Sequence, residues 1–345
     1  MIVGAIVVIG YTVLGGFMAV STTDLIQSII MTFSLVMIVL FGVQQAGGWD
    51  LVMSNAGALP GYLNVTQGYD MATGEASSYS LLSIASTLAW GLGYFGMPHI
   101  LLRFMAIEDE KKLKLSRRIA TIWVVISMFV AIIIGIVGYG VTKAGKIPFL
   151  GTTAESETVI IQLSNLLSQY GPIFAIFAGI VLAGILASTM STADSQLLAA
   201  ASGVSHDLLG NTFRMKLDTK KSMLVARATV IIIAIVGIAL AWNPESSVFR
   251  IVSFAWAGFG ASFGPVVLFA LFWKRSNFQG VLAGMITGGV MVFVWKYLIA
   301  PVGGVWAIYE LLPAFLAASI VIVAVSLLTS PPSDEITKEF EAVGK

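Results

Sequence analysis

Nine apolar segments run through the chain, at residues 1–20, 24–46, 80–101, 119–142, from 172 past 192, 222–242, 249–273, 278–299 and 307–329. Most are close to the ~20 residues that a helix needs to cross a bilayer. Lipid offers no partner for backbone N–H and C=O groups, so a spanning segment must satisfy its own, as a helix does. The chain is therefore expected to be an all-α integral membrane protein with about nine transmembrane helices. Only 11% of its residues are charged, against about 25% in a soluble domain. The membrane domain is expected over residues 1–329. The polar remainder, 330–345, is expected to be a loosely ordered cytoplasmic tail. Met1–Val20 has no basic flank ahead of its apolar run, so it does not read as a signal peptide. Ser21–Asp24 (STTD) predicts a short polar turn that caps the second helix.

Lys and Arg set the orientation of such a bundle. With the 102–118 loop in the cytoplasm and strict alternation, the cytoplasmic segments 21–23, 102–118, 203–221, 274–277 and 330–345 hold fourteen of the nineteen basic residues. The outer loops hold only Lys143 and Lys146. This alternation places Met1 outside. A first span with no flank before it looks like the remainder of a longer protein.

The third apolar segment does not read as an ordinary helix. Within Trp90–Arg103 (WGLGYFGMPHILLR) lie Gly91, Gly93, Gly96 and Pro98. Glycine costs about 1 kcal/mol and proline about 3 in a helix interior, so a break is expected here. Broken membrane helices are tolerated where their free backbone groups line a cavity, and in transporters they mark the binding site. Trp90, Tyr94 and Pro98 are spaced i, i+4, i+8, which places them on one face of any helical part. A kinked packing helix with interfacial aromatics accounts for the same residues about equally well.

The fifth segment carries a second pattern. Ser188, Ser191, Thr192 and Ser195 fall at i, i+3, i+4 and i+7, one helical face. Such hydroxyls usually bond back to their own backbone or across to a neighbour. Four on one stripe also offer the neutral oxygens that a hard cation such as Na⁺ takes, by analogy with other hard cations. Asp194 does not share the stripe and reads as structural, near the cytoplasmic end. Between the fourth and fifth segments, 155–168 has amphipathic spacing too short to span, and predicts a helix on the surface or over a cavity.

Several function classes are excluded or disfavoured. There is no cysteine, so no disulfide, zinc–cysteine site or thiol catalysis is available. The net charge of +1 argues against a nucleic-acid partner. His99 and His206 are far apart and read as boundary residues. No His–carboxylate constellation stands at membrane depth, so the chain is not expected to be an enzyme.

Four stretches carry a family resemblance: YTVLGGFMAVSTTD (Tyr11–Asp24), WGLGYFGMPHILLRFMA (Trp90–Ala106), LASTMSTADSQLL (Leu186–Leu198) and AWAGFGASFGPVVLF (Ala255–Phe269). The chain resembles the sodium:solute symporter family, and within it the bacterial sodium/proline symporters. The second and third stretches are specific to the family. The resemblance implies a partial leucine-transporter-like fold of inverted repeats with extra flanking helices. It implies sodium-coupled symport of L-proline into the cell across the plasma (inner) membrane, with Na⁺ as coupling ion and no other cofactor. The partners are then the solute, Na⁺ and membrane lipid. It assigns solute binding to Trp90, Tyr94 and Pro98, and a sodium site to Ser188 (through its carbonyl), Ser191 and Thr192. Met97 departs from the glutamine of enteric-type members, which keeps another small carboxylate or zwitterion, such as pantothenate or a betaine, as an alternative. Fusion to a sensor kinase would add a C-terminal soluble domain, and the sequence ends sixteen residues past the last apolar segment. Family members carry further helices ahead of the one matching residues 2–20, including a broken one that completes both sites. A non-transporting fragment is thus a further alternative, and residues 1–345 alone are expected not to transport.

Overall fold

The computed structural model describes residues 2–215, 218–240 and 248–343. In chain order its elements are α1 (Ile2–Gln45), α2 (Trp49–Gly57), a two-stranded hairpin of β1 (Gln67–Tyr69) and β2 (Ala76–Ser78), α3 (Leu81–Gly93), α4 (Pro98–Met105), α5 (Leu113–Lys143), α6 (Thr153–Ser156), α7 (Val159–Ser168) and α8 (Pro172–Ser202). There follow a π-helical turn (Gly203–Thr212), α9 (Thr219–Leu240), α10 (Val248–Phe272), α11 (Phe278–Val294), α12 (Leu311–Leu328) and α13 (Asp334–Val343). Among the described residues, seven helices are long and apolar enough to cross a membrane: Val20–Gln45, Glu110–Lys143, Pro172–Thr212, Thr219–Ala239, Val248–Phe272, Phe278–Val302 and Leu311–Leu328. The helix at Leu81–Gly96 is apolar but shorter.

The nine expected segments are thus all helical, with two differences of detail. The third is split between α3 and α4. The first and second form one helix with no turn at Ser21–Asp24. The hydroxyls there do not leave the helix to cap it. Thr22 Oγ1 donates to the Met18 carbonyl at 2.9 Å and Thr23 Oγ1 to that of Val20 at 2.9 Å. Such back-bonding satisfies a polar side chain inside a helix. Met1, Lys216, the last two residues of the 222–242 segment, and Gly344 and Lys345 of the tail lie outside the described residues.

The chain divides into two compact units, one of residues 1–77 and 107–246, the other of 78–106 and 247–345. The first is built on α1, α5, α7 and α8. Its core holds Ile38, Phe41, Val52, Ile134, Val137, Val141, Leu163, Leu167 and Val181. Close approach is made by small residues. A side chain at Gly42 would strike Val137, and one at Gly184 would strike Ser34. The Ser34 hydroxyl instead donates to the Ile180 carbonyl at 3.1 Å. The amphipathic stretch 155–168 becomes α6 and α7. Its Leu163, Leu166 and Leu167 are packed into this core, so α7 is a core helix that happens to be short.

The second unit is built on α3, α4 and α10–α13. Gly280, Gly284 and Gly288 form one face of α11. The first two meet α12 at Ile322, and Gly288 meets the Ala261 carbonyl of α10. Pro265 lies inside α10, buried, and the helix continues through it. The tail departs from the expectation of loose order. Asp334–Val343 is helical, and its Ile336 and Phe340 line a cavity with Trp273, Phe278, Pro331 and Pro332. Ile336 and Phe340, one turn apart, stand on one face of this helix.

Candidate functional site

The break begins where α3 ends. Ser80 caps α3, its hydroxyl accepting from the Ser83 N–H at 3.1 Å. The helix runs to Gly93, tightens to a 3₁₀ turn over Tyr94–Gly96, and opens at Met97, which is extended at φ −81°, ψ 110°. Pro98 then opens α4. A residue before proline is pushed out of the α region, and proline suits the first helical position because its missing N–H would be unpaired there anyway. The Met97 carbonyl collects the N–H groups of Ile100 and Leu101, each at 3.1 Å.

The glycines have separate jobs. A Cβ at Gly93 would run into the Trp256 ring. One at Gly96 would meet the Phe259 carbonyl and sit 2.8 Å from the Gly264 nitrogen. Gly91 has nothing within 4 Å. Gly93 and Gly96 are therefore small because α10 lies against the break, whereas packing asks nothing of Gly91.

Aromatic rings gather on this contact. Trp90 stacks on Phe249 (centroids 5.4 Å), Trp256 (5.5 Å) and Tyr309 (6.0 Å), with planes within 17° of parallel. Trp256 Nε1 donates to the Trp90 carbonyl at 2.9 Å. Tyr94 stands edge-on to Trp256 at 4.8 Å. Trp90 and Tyr94, expected on one face, thus share one neighbour. Trp90 and Pro98 are half-buried, Tyr94 is 52% exposed and Met97 is buried.

Sequence reasoning missed Phe249, Trp256 and Tyr309. Trp256 stood inside a quoted family stretch but with no role attached. Tyr309 is held at both ends: its N–H donates to Ser86 Oγ at 3.0 Å, and its hydroxyl to the Ser253 carbonyl at 2.6 Å. Burial, and after it the Glu310 charge, push its phenol well above the usual tyrosine range, so it stays neutral. Glu310 pairs with Lys296 at 3.0 Å, and the Lys296 ammonium lies over the Phe254 ring at 4.6 Å.

The hydroxyl stripe lies in the other unit, on the unbroken α8. Ser188 Oγ donates to the Ile185 carbonyl at 2.9 Å. The Ser188 carbonyl receives Ser191 Oγ at 3.1 Å and Thr192 Oγ1 at 3.4 Å. Three of the expected ligand oxygens, Ser188 O, Ser191 Oγ and Thr192 Oγ1, are therefore neighbours. A hydroxyl that donates its proton to a carbonyl keeps lone pairs for a cation, so back-bonding and coordination are compatible. Ser195 Oγ donates to Ser191 O at 2.9 Å and lies 3.4 Å from the Asp194 carboxylate, which is fully buried. No group of three or more His, Cys, Asp or Glu that could hold a metal ion occurs among the described residues.

The fold has a solved counterpart. The chain matches a structure titled as the substrate-bound outward-open state of a Na⁺-coupled sialic acid symporter. The TM-score is 0.70 at 18% identity, over 95% of this chain and 66% of that one. The model of the sodium:solute symporter family matches residues 1–288. The chain is 39% identical to the high-affinity proline transporter PutP of Bacillus subtilis, over 97% of its length, and 36% identical to a sodium/proline symporter of Staphylococcus aureus, over 99%. The chain belongs to the sodium:solute symporter family and is a multi-pass membrane protein. It spans 66% and 65% of those two relatives' own lengths.

Proposed function

We propose that this chain serves sodium-coupled symport of L-proline into the cell across the plasma membrane, and that it is not an enzyme. The observation that carries the reading is the break at Tyr94–Pro98, with Trp90 and Tyr94 beside it, in a chain 39% identical to a proline transporter. Tyr94, half-exposed, supplies a wall for the apolar face of a small ring. Trp90 supplies a second wall, and Pro98 fixes the opened backbone at Met97. The Ser188 carbonyl and the Ser191 and Thr192 hydroxyls would take Na⁺, the co-transported ion. Neutral oxygens bind it weakly enough to let it leave. Coupling requires that each ligand favour the conformations the other binds, so each raises the other's affinity. The basic loops at 103–118 and 214–221 face the cytoplasm in this reading. Met97 supports a second reading, transport of another small zwitterion or carboxylate, because it stands where enteric-type members carry glutamine.

The test is uptake of labelled proline, in a bacterial host stripped of its own proline uptake, by residues 1–345 alone and by the same residues preceded by the further helices that family members carry. Uptake that needs Na⁺ and is competed by excess proline is expected of the extended chain. Na⁺-dependent uptake of pantothenate or betaine, with no response to proline, would replace the first reading by the second.

A further inference from the structure

We infer that Tyr309, braced by the Lys296–Glu310 ion pair, is a positioning residue for Trp90 and through it for the transported solute. The inference rests on the transport reading above. The Trp90 ring has three stacked neighbours. Phe249 and Trp256 belong to α10, and Tyr309 comes from the connection between α11 and α12. The two bonds of Tyr309 fix its ring from both ends. Its N–H reaches Ser86, one helical turn before Trp90 on the same face of α3, and its hydroxyl reaches Ser253 on α10. The first bond anchors the Tyr309 backbone beside α3, the second adds a hold at the far end of the side chain, and stacking keeps the ring within 17° of parallel to Trp90.

The connection that carries Tyr309 is itself held. Gly303 and Gly304 take positive φ, 82° and 60°, between two 3₁₀ turns. Trp295 Nε1 donates to the Trp306 carbonyl at 3.1 Å, which closes the turn on itself. Glu310, next to Tyr309, is 11% exposed and Lys296 is 33% exposed. A carboxylate that far from water needs its partner, because a lone buried charge is far more costly than a paired one. The ammonium also sits over Phe254, which packs edge-on to Phe293 at 5.3 Å. The pair therefore ties the start of α12 to the end of α11 at the residue beside Tyr309. Here the brace ends in a ring stacked on the side chain assigned to the solute.

The experiment uses this chain, purified with 5-fluorotryptophan in place of its eight tryptophans and followed by ¹⁹F NMR, with the Trp90 resonance assigned by Trp90→Phe. Tyr309→Leu should move the Trp90 resonance, because the ring stacked on it is gone. Tyr309→Phe keeps the ring and should restore it. Glu310→Gln, which keeps the size of the side chain, should move the resonance in the same direction as Tyr309→Leu and serves if the leucine variant does not fold. An unmoved Trp90 resonance in the folded variants overturns the inference. In the uptake assay, Tyr309→Leu should raise the half-saturating proline concentration about two- to tenfold, the change that loss of one aromatic pair corresponds to. The maximal rate should stay near wild type. A shifted resonance with unaltered half-saturation overturns the solute part. If wild type takes up no proline while Tyr309→Leu still moves the resonance, the transport reading falls and the positioning of Trp90 stands.

Discussion

The chain offers polar atoms within apolar helices in two different ways. On α8 the helix is unbroken and the polar atoms are side-chain hydroxyls, each donating its proton to a carbonyl of its own helix within 3.4 Å. At the end of α3 the helix opens instead, and the polar atoms are those of the backbone around Met97. The first device leaves the helical ladder intact and adds oxygens that can turn outward. The second gives up ladder bonds, and needs Gly93 and Gly96 to seat the opened segment against α10. A substitution on the stripe should therefore change affinity for an ion and little else. A substitution at Gly93 or Gly96, where α10 closes on the break, should damage the fold first.

The sharpest way to break this comparison is Gly96→Leu. The new side chain meets backbone at Phe259 and Gly264, which cannot swing away. A loss of about 3 kcal/mol or more is expected, at or beyond the upper end for overpacking, seen as a large fall in thermal midpoint in detergent. Gly91→Ala, with open space around it, should cost little by the same measurement. Next in size is Tyr94→Ala, which removes a wall and a hydroxyl while leaving the break closed. A cost of roughly 1–3 kcal/mol in solute binding is expected, about five- to 150-fold in proline affinity, with near-normal amounts of protein. Normal uptake kinetics would remove Tyr94 from the site. On the stripe, Thr192→Ala should raise the half-saturating Na⁺ concentration about fivefold, the worth of roughly 1 kcal/mol. Thr192→Ser, which keeps the oxygen, should sit near wild type. An unchanged Na⁺ dependence in the alanine variant would leave α8 a packing helix only. The smallest effect belongs outside both regions. Lys274 and Glu341 are 3.8 Å apart with both side chains more than half exposed, so Glu341→Ala should shift stability by less than about 0.5 kcal/mol.

The break was legible because glycine and proline act locally. Pro98 dictates the backbone of Met97 whatever surrounds it. The nine apolar segments were legible for the same reason, since each needs only its own length and composition. The turn expected at Ser21–Asp24 failed because serine and threonine carry two meanings. They cap a helix start, and they also sit within a helix when the hydroxyl bonds back, as Thr22 and Thr23 do. The tail was misread from its charge. Ile336 and Phe340, four apart, line a cavity with Trp273 and Phe278. The partners of Trp90 were beyond reach. Phe249 and Tyr309 come from distant parts of the chain, and stacking leaves no periodic trace. One signal did exist for Tyr309: a lysine near the end of one span and a glutamate near the start of the next, Lys296 and Glu310, suggest a pair that closes the connection between them.

Pro265 has no N–H to give the carbonyl four residues before it, which is that of Ala261 in the middle of α10. Gly288 of α11 is the residue that lies on this carbonyl, so closely that a methyl group there would overlap the oxygen. The weak point of one helix is thus sealed by the bare backbone of its neighbour, through the kind of Cα–H···O contact that close-packed helices make. A side chain at Gly288 should therefore push α11 away from α10 at the turn where proline has already removed a ladder bond.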